Sequence, residues 1–296
     1  MALLIITTIL WAFSFSLIGE YLAGSVDSYF SVLMRVGLAA LVFLPFLRTR
    51  GQSPRTIVLY MLVGAMQLGI MYLLAFRAYL YLTVSEFLLF TVFTPLYITL
   101  IYDLLSGRKL RWGYLLSAAL AVLGAAIIRY DKVSDHFWTG LLLVQLSNLC
   151  FAIGMVGYKR LMEVRPMPQH NAFAWFYVGA FIVAVAAWFM LGNAQKLPTT
   201  TLQWSVLVWL GVVASGLGYF MWNYGATQVD AGTLGIMNNV HVPAGLLVNL
   251  AIWQEQPHWP SFISGALVIL ASLWVHRRWV APHSGQTADD RRRGSA

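Results

Sequence analysis

The sequence predicts an all-α membrane protein, with ten transmembrane helices arranged as two inverted five-helix repeats. Three observations carry this prediction. Of the 296 residues, 59% are apolar and 10% charged, and the mean hydropathy is +0.71; a soluble domain has about 25% charged residues with which to face water. Apolar runs long enough to cross about 30 Å of hydrocarbon recur along the chain. Segments of the first half also reappear in the second at one constant offset. The composition excludes a soluble enzyme, a nucleic-acid-binding domain and a disordered tail protein. The single cysteine, Cys150, excludes an intrachain disulfide scaffold and reads as a small apolar packing residue.

A spanning helix needs about 20 mostly apolar residues. In chain order the spans fall at 2–19, 28–47, 56–77, 84–103, 111–129, 138–158, 170–191, 203–224, 231–253 and 260–279. The first could pass for a signal peptide, but no charge precedes Glu20, so the positive n-region is missing and the segment is expected to stay as a helix. The remaining residues form short connections and a tail. The tail, residues 282–296, contains Asp289, Asp290 and three consecutive arginines without apolar periodicity, and is expected to be disordered and dispensable.

Charge placement orients the spans. The loops after spans 2, 4, 6 and 8, together with the tail, hold fourteen of the 19 basic residues, among them Arg50, Lys109 and Arg165. The opposite side holds four: Arg77, Arg129, Lys132 and Lys196. Cytoplasmic loops collect Lys and Arg, so both termini are expected in the cytoplasm. The net charge of +8 is then a topology signal and not a nucleic-acid footprint.

The duplication has an offset of 147. Ser117-Ala-Ala-Leu-Ala-Val-Leu-Gly124 in span 5 parallels Ser264-Gly-Ala-Leu-Val-Ile-Leu-Ala271 in span 10. Trp112 matches Trp259, Tyr72 matches Tyr219, and Pro95 of span 4 lies one residue off register from Pro243 of span 9. The repeats are placed at 1–135 and 136–281. Five spans is an odd number, so the second copy enters the membrane in the opposite sense. Inverted repeats around a midplane site are the architecture of many secondary transporters. No Walker-type glycine loop appears, so ATP hydrolysis by this chain is not expected. No metal-ligand spacing or cofactor motif appears either.

Polar groups inside hydrocarbon mark candidate sites. Arg35 in span 2 is the basic residue deepest in any span. Its guanidinium fork suits a carboxylate, while the competing reading pairs it with Glu86 just inside span 4. Span 9 places Asn238, Asn239 and His241 immediately before Pro243, as a polar pocket wall beside a kink or as interhelical glue. Span 4 has Thr91 and Thr94 before Pro95, followed by Tyr97; these hydroxyls can satisfy a kinked backbone. Trp11, Phe15, Tyr72, Trp222 and Asn223 lie deep enough to line a cavity. Gln67, Gln145, Ser147 and Asn148 face either the cavity or a neighbour. Trp112, Trp138, Trp204, Trp253, Trp259 and Trp279 are expected at the membrane interface. Glu86 and His241 are the candidate proton carriers.

The five-plus-five layout resembles the drug/metabolite transporter superfamily, in particular its EamA-type families. The residues carrying the resemblance are Trp11-Ala-Phe-Ser-Phe-Ser, Arg35, the glycine-rich stretch Gly216-Leu-Gly-Tyr-Phe-Met-Trp-Asn-Tyr-Gly225 and the prolines of spans 4 and 9. It covers the whole chain apart from the tail. Within that superfamily, Met1-Ala-Leu-Leu-Ile-Ile-Thr-Thr-Ile-Leu-Trp11, Arg165-Pro-Met-Pro-Gln-His-Asn-Ala-Phe-Ala-Trp175 and Asp230-Ala-Gly-Thr-Leu-Gly-Ile-Met-Asn-Asn239 are similar to its enterobacterial biotin-transporting branch. That resemblance implies high-affinity biotin uptake across the inner membrane by a single polypeptide, without an ATPase subunit. The implied partners are a small-molecule substrate and membrane lipid, with no nucleic acid. The runner-up is an exporter of amino acids or other small amphipathic metabolites.

Overall fold

The computed structural model describes residues 2–105, 116, 119–120, 123, 127, 135–229, 237–238, 240, 244–254, 259–260, 263–264, 267–268, 270–271 and 274–275. Every regular element among them is helical. Seven helices are long and apolar enough to cross a membrane: Ala2–Tyr21, Ser28–Phe46, Pro54–Ala78, Val84–Tyr102, His136–Val164, Gln169–Leu191 and Thr201–Thr227. They coincide with spans 1–4 and 6–8. A shorter apolar helix, Ala244–Trp253, falls within span 9. Most of spans 5 and 10, the first part of span 9 and the tail lie outside the described residues.

Local chemistry starts several of the helices. The Asp27 carboxylate accepts the Phe30 N–H at 2.8 Å and opens span 2. Ser53 caps span 3, with Pro54 at the first helical position. Capping boxes open spans 4 and 8, from Thr83 with Glu86 and from Thr200 with Gln203.

The two halves interleave. Ser28–Phe43 packs on Gln169–Leu191 and on Leu210–Leu217, and Pro54–Gly64 packs on that same helix Gln169–Leu191. Met71–Ala78 and Thr94–Leu105 pack on Asp135–Val164, and Ala2–Tyr21 on Gly218–Thr227. Water drives none of this, because lipid is as apolar as leucine, so close van der Waals approach must hold the helices together. Spans 3 and 7 touch backbone to backbone. A Cβ at Gly64 would stand 1.9 Å from the Phe176 carbonyl oxygen, and one at Gly179 would stand 1.9 Å from that of Met61. The outer surface is apolar: Phe189 and Met190 on span 7 are 82% and 80% exposed. Trp138, Trp204 and Trp259 are exposed as belt residues would be, whereas Trp253 is half-buried. Trp112 and Trp279 lie outside the described residues.

Two spans leave α geometry at equivalent places. Ala65–Ile70 in span 3 and Leu210–Leu217 in span 8 are π-helical, and the sequence offset of 147 carries the first onto 212–217. A π turn releases carbonyls from the regular ladder. In span 8 those of Ala214 and Ser215 accept from Trp11 Nε1 at 2.9 Å and from the Tyr177 hydroxyl at 2.7 Å.

Span 4 is broken. Its helix stops at Thr91 and resumes at Thr94, because Pro95 has no N–H to offer the Thr91 carbonyl. The Thr94 hydroxyl donates to that carbonyl at 2.7 Å, and the Thr91 hydroxyl donates to Leu88 O at 2.6 Å. Asn148 Nδ2, from span 6, donates to Phe90 O at 2.9 Å. The hydroxyls satisfy the kink as the sequence predicts, and a neighbouring amide completes it.

Candidate functional site

A cavity of about 80 Å³ lies where the halves meet. Helical spacing assembles it. Trp11, Ser14, Phe15 and Ile18 form one face of span 1, and Tyr72, Phe76 and Tyr79 form one face of span 3. Span 4 adds Phe87, Thr91 and Thr94, span 6 adds Ser147, Asn148 and Phe151, and single residues come from spans 2, 8 and 9: Arg35, Tyr219 and Asn238.

Arg35 supplies the charge. It is 3% exposed, and its Nε donates to Ser215 Oγ at 2.6 Å. The guanidinium carbon sits 4.1 Å from the centroid of the Tyr72 ring and 5.9 Å from that of Phe76. The Tyr72 hydroxyl shares a 2.8 Å hydrogen bond with the same Ser215 oxygen. A central arginine costs about 2.5–3.5 kcal/mol on insertion. A hydrogen bond to a charged group is worth about 1.5–3 kcal/mol and a desolvated cation–π contact about 2 kcal/mol, so these contacts offset that cost. Nε faces Ser215. The two Nη nitrogens have no hydrogen-bond partner among the described residues, and the side chain lines the cavity.

The pairing of Arg35 with Glu86 that the sequence left open is not what forms. The Glu86 carboxylate accepts the Thr83 backbone N–H at 2.9 Å as part of the capping box. Arg35 makes no ion pair with a described carboxylate.

An aromatic wall stands beside the arginine. Trp11 lies against Tyr219 at 4.6 Å and Trp222 at 5.0 Å between ring centroids, and Phe151 stands edge-on to both Trp11 and Tyr219. The Trp11 indole is locked by its bond to the π segment of span 8. The Tyr79 ring stacks on Phe87 at 4.3 Å.

Of the residues picked from sequence, Trp11, Phe15, Arg35, Tyr72 and Asn238 line the cavity. Three others stand off it, each with another partner. Trp222 is fully buried behind Trp11 and donates to Met155 Sδ at 3.3 Å. Tyr97 donates to Gln145 Oε1 at 3.1 Å. Asn223 and Gln67 exchange two amide hydrogen bonds of 3.0 Å each, so Gln67 faces a neighbour while Ser147 and Asn148 face the cavity. Asn239 and His241 lie outside the described residues. Sequence reasoning passed over Phe76 and Tyr79, although their spacing from Tyr72 by four and seven residues already put them on its face.

A family model for the EamA-like transporter family matches residues 1–130 and 138–277. The chain belongs to that family, and is therefore a multi-pass membrane transporter built of two repeats. It is 83% identical over 296 residues to the biotin transporter of Escherichia coli K12, covering 100% of this chain and 99% of that one. It is 55% identical to the probable biotin transporter of Pseudomonas aeruginosa, covering 94% and 97% of the two chains. A probable terminal-alkyne amino-acid exporter of Streptantibioticus cattleyicolor matches at 20% identity over 62% of this chain and 61% of its own. A solved crystal structure matches with a TM-score of 0.65 at 17% identity, covering 93% of this chain and 95% of its own, which establishes likeness of fold alone.

Proposed function

We propose that this protein is a secondary transporter that carries biotin into the cell across the bacterial inner membrane. In this reading the repeats 1–135 and 136–281 have inverted topology and rock about the cavity, both termini are cytoplasmic, and no ATPase subunit takes part. One observation carries it: a buried guanidinium lines a largely aromatic cavity formed by both halves, with two nitrogens uncommitted among the described residues. Biotin has a carboxylate for that fork and an apolar bicyclic ring for the aromatic wall. An Arg–carboxylate pair is bidentate and strong where water is excluded. The 83% identity to the Escherichia coli biotin transporter and the 55% identity to a probable one support the same substrate.

The chemistry of a cycle follows. The acid enters from the periplasm, its charge is neutralised at Arg35, and its rings displace water from the wall formed by Trp11, Phe151 and Tyr219. Closure of one face then costs less than in the empty protein, because the guanidinium no longer faces the cavity unpaired. Should uptake draw on the proton gradient, Glu86 and His241 are the groups we assign to it. The paired π segments and the broken span 4 are sites where helices can bend without stranding backbone groups.

The test is uptake of labelled biotin by a biotin-auxotrophic strain lacking its own transporter. The wild-type gene should restore uptake, and Arg35→Ala should restore only a small fraction of it. No uptake from a well-expressed wild-type chain overturns the reading, and faster efflux from preloaded cells would mark an exporter.

A further inference from the structure

Tyr177, on span 7, is fully buried and does not line the cavity. Its ring packs among Phe43, Phe173 and Phe176, with centroids 5.3, 5.6 and 5.6 Å away. A phenylalanine would fill that aromatic cluster as well, so the hydroxyl needs its own explanation. It donates to Ser215 O at 2.7 Å, and Gly216 O lies at 3.4 Å.

The same Ser215 carries the oxygen that accepts Arg35 Nε at 2.6 Å and meets the Tyr72 hydroxyl at 2.8 Å. Tyr177 therefore reaches the guanidinium through one residue: its hydroxyl holds the Ser215 main chain, and the Ser215 side chain holds Nε. A serine has a single torsion between backbone and Oγ, so the position of its backbone decides where that oxygen lies. This backbone belongs to the π segment of span 8, where the regular ladder of carbonyls is interrupted. A guanidinium presents two forks, one made of Nε with an Nη and one made of both Nη nitrogens. Ser215 occupies the first, which leaves the second for a carboxylate.

The repeat separates this role from scaffolding. The offset of 147 relates Ser215 to Leu68 and Tyr177 to Phe30. Span 3 forms its own π segment with leucine at the first of these places, so π geometry does not require the serine and its tyrosine. The polar pair occurs in the copy whose serine meets Arg35.

We propose that Tyr177 is a positioning residue for the substrate carboxylate: its hydroxyl fixes the backbone of Ser215, whose Oγ holds Arg35 Nε and so aims the two Nη nitrogens at the acid. The inference rests on the biotin reading above, with Arg35 as the carboxylate site, and extends recognition of the acid to a side chain that never touches it. Without the hydroxyl, Ser215 loses its tie to span 7 and the guanidinium can turn. An anion that needs two nitrogens at once then binds less well, whereas a neutral group that takes a single hydrogen bond is little affected.

The experiment titrates the purified full chain in lipid nanodiscs with biotin and with biotinamide, in which a neutral carboxamide replaces the carboxylate. Wild-type protein should prefer biotin, and Arg35→Ala should remove the preference. Tyr177→Phe keeps the ring and should weaken biotin about three- to tenfold, the worth of one neutral hydrogen bond. It should leave biotinamide nearly unchanged, so the ratio narrows. That ratio, taken within one variant, is independent of how much of the variant is folded. In a Ser215→Ala background Tyr177→Phe should not change the ratio further, because the oxygen through which it acts is gone. Tyr177→Phe weakening both ligands equally, or neither, overturns the positioning role and leaves the biotin reading standing. So does a ratio that narrows as much without the Ser215 oxygen as with it. A wild-type chain that binds the two ligands alike overturns the Arg35 assignment and the positioning role with it. A wild-type chain that binds no biotin overturns the biotin reading as well.

Discussion

The ring of Tyr72 meets the ring of Tyr219 edge-on, with centroids 5.8 Å apart and planes at 85°. These residues are separated by the repeat offset, and each follows the π segment of its own span. Equivalent residues of the two halves therefore touch at the cavity, with Arg35 over one of them. Movement of either half changes the shape of the site directly.

Arg35→Ala should weaken biotin uptake by about tenfold to a hundredfold, as expected for a lost charge-assisted hydrogen bond, with membrane abundance maintained. Arg35→Lys keeps the charge and loses the fork, so it should fall between. Adding Glu86→Gln should not restore Arg35→Ala, because the Glu86 carboxylate is engaged in the Thr83 cap. Recovered uptake in the double variant would disprove the carboxylate role.

Ser215 Oγ joins Arg35 Nε and the Tyr72 hydroxyl. Ser215→Ala should let the guanidinium rotate, raising the apparent KM for uptake about tenfold while leaving protein level near wild type. Uptake kinetics on vesicles of matched protein content would check this.

The Gln67–Asn223 amide pair is fully buried away from the cavity. Gln67→Leu alone leaves Asn223 unsatisfied at a cost of about 1–3 kcal/mol, so thermal stability in detergent should drop. Gln67→Leu with Asn223→Leu should recover part of the loss. Strictly additive losses in the double-mutant cycle would contradict the pairing.

Gly64→Ala or Gly179→Ala should lower the amount of folded protein sharply. Each methyl meets a carbonyl oxygen at 1.9 Å, and overpacking costs about 1–3 kcal/mol even where only side chains must move. Fluorescence-detected size exclusion would show aggregated material for either variant, and a monodisperse peak of normal height would refute the contact.

Reporter fusions after Arg50, Lys109, Arg165 and Arg278 should all report the cytoplasm, because the basic residues concentrate in those loops. A periplasmic report after Arg278 would contradict the inverted repeat.

Much of the scaffold was legible in the sequence because length and hydropathy determine spans directly. Asp27, Ser53 and Thr83 begin their helices for reasons visible in a few residues. The π segments were not legible: one extra residue per turn leaves a mostly apolar, glycine-containing run looking like any other span. At the site, Arg35 stood out because an intramembrane charge has few explanations. Asn223 and Asn238 could not be told apart, since residue type does not reveal that one meets Gln67 and the other meets an open cavity. Tyr79 sits at the end of a span, where tyrosine reads as an interfacial anchor, and its burial is visible only once span 1 is laid against it.

The scaffold repeats, but its charge does not. The offset that carries Tyr72 onto Tyr219 carries Arg35 onto Ile182, which is 55% exposed on the outer surface. One repeat thus carries a buried cation where the other carries an exposed apolar side chain. A pocket with a single cation is polar along its length, so an acid paired with Arg35 would have one permitted orientation. Two identical copies would carry two such cations or none, so the single charge is what makes the two halves of the cavity chemically different.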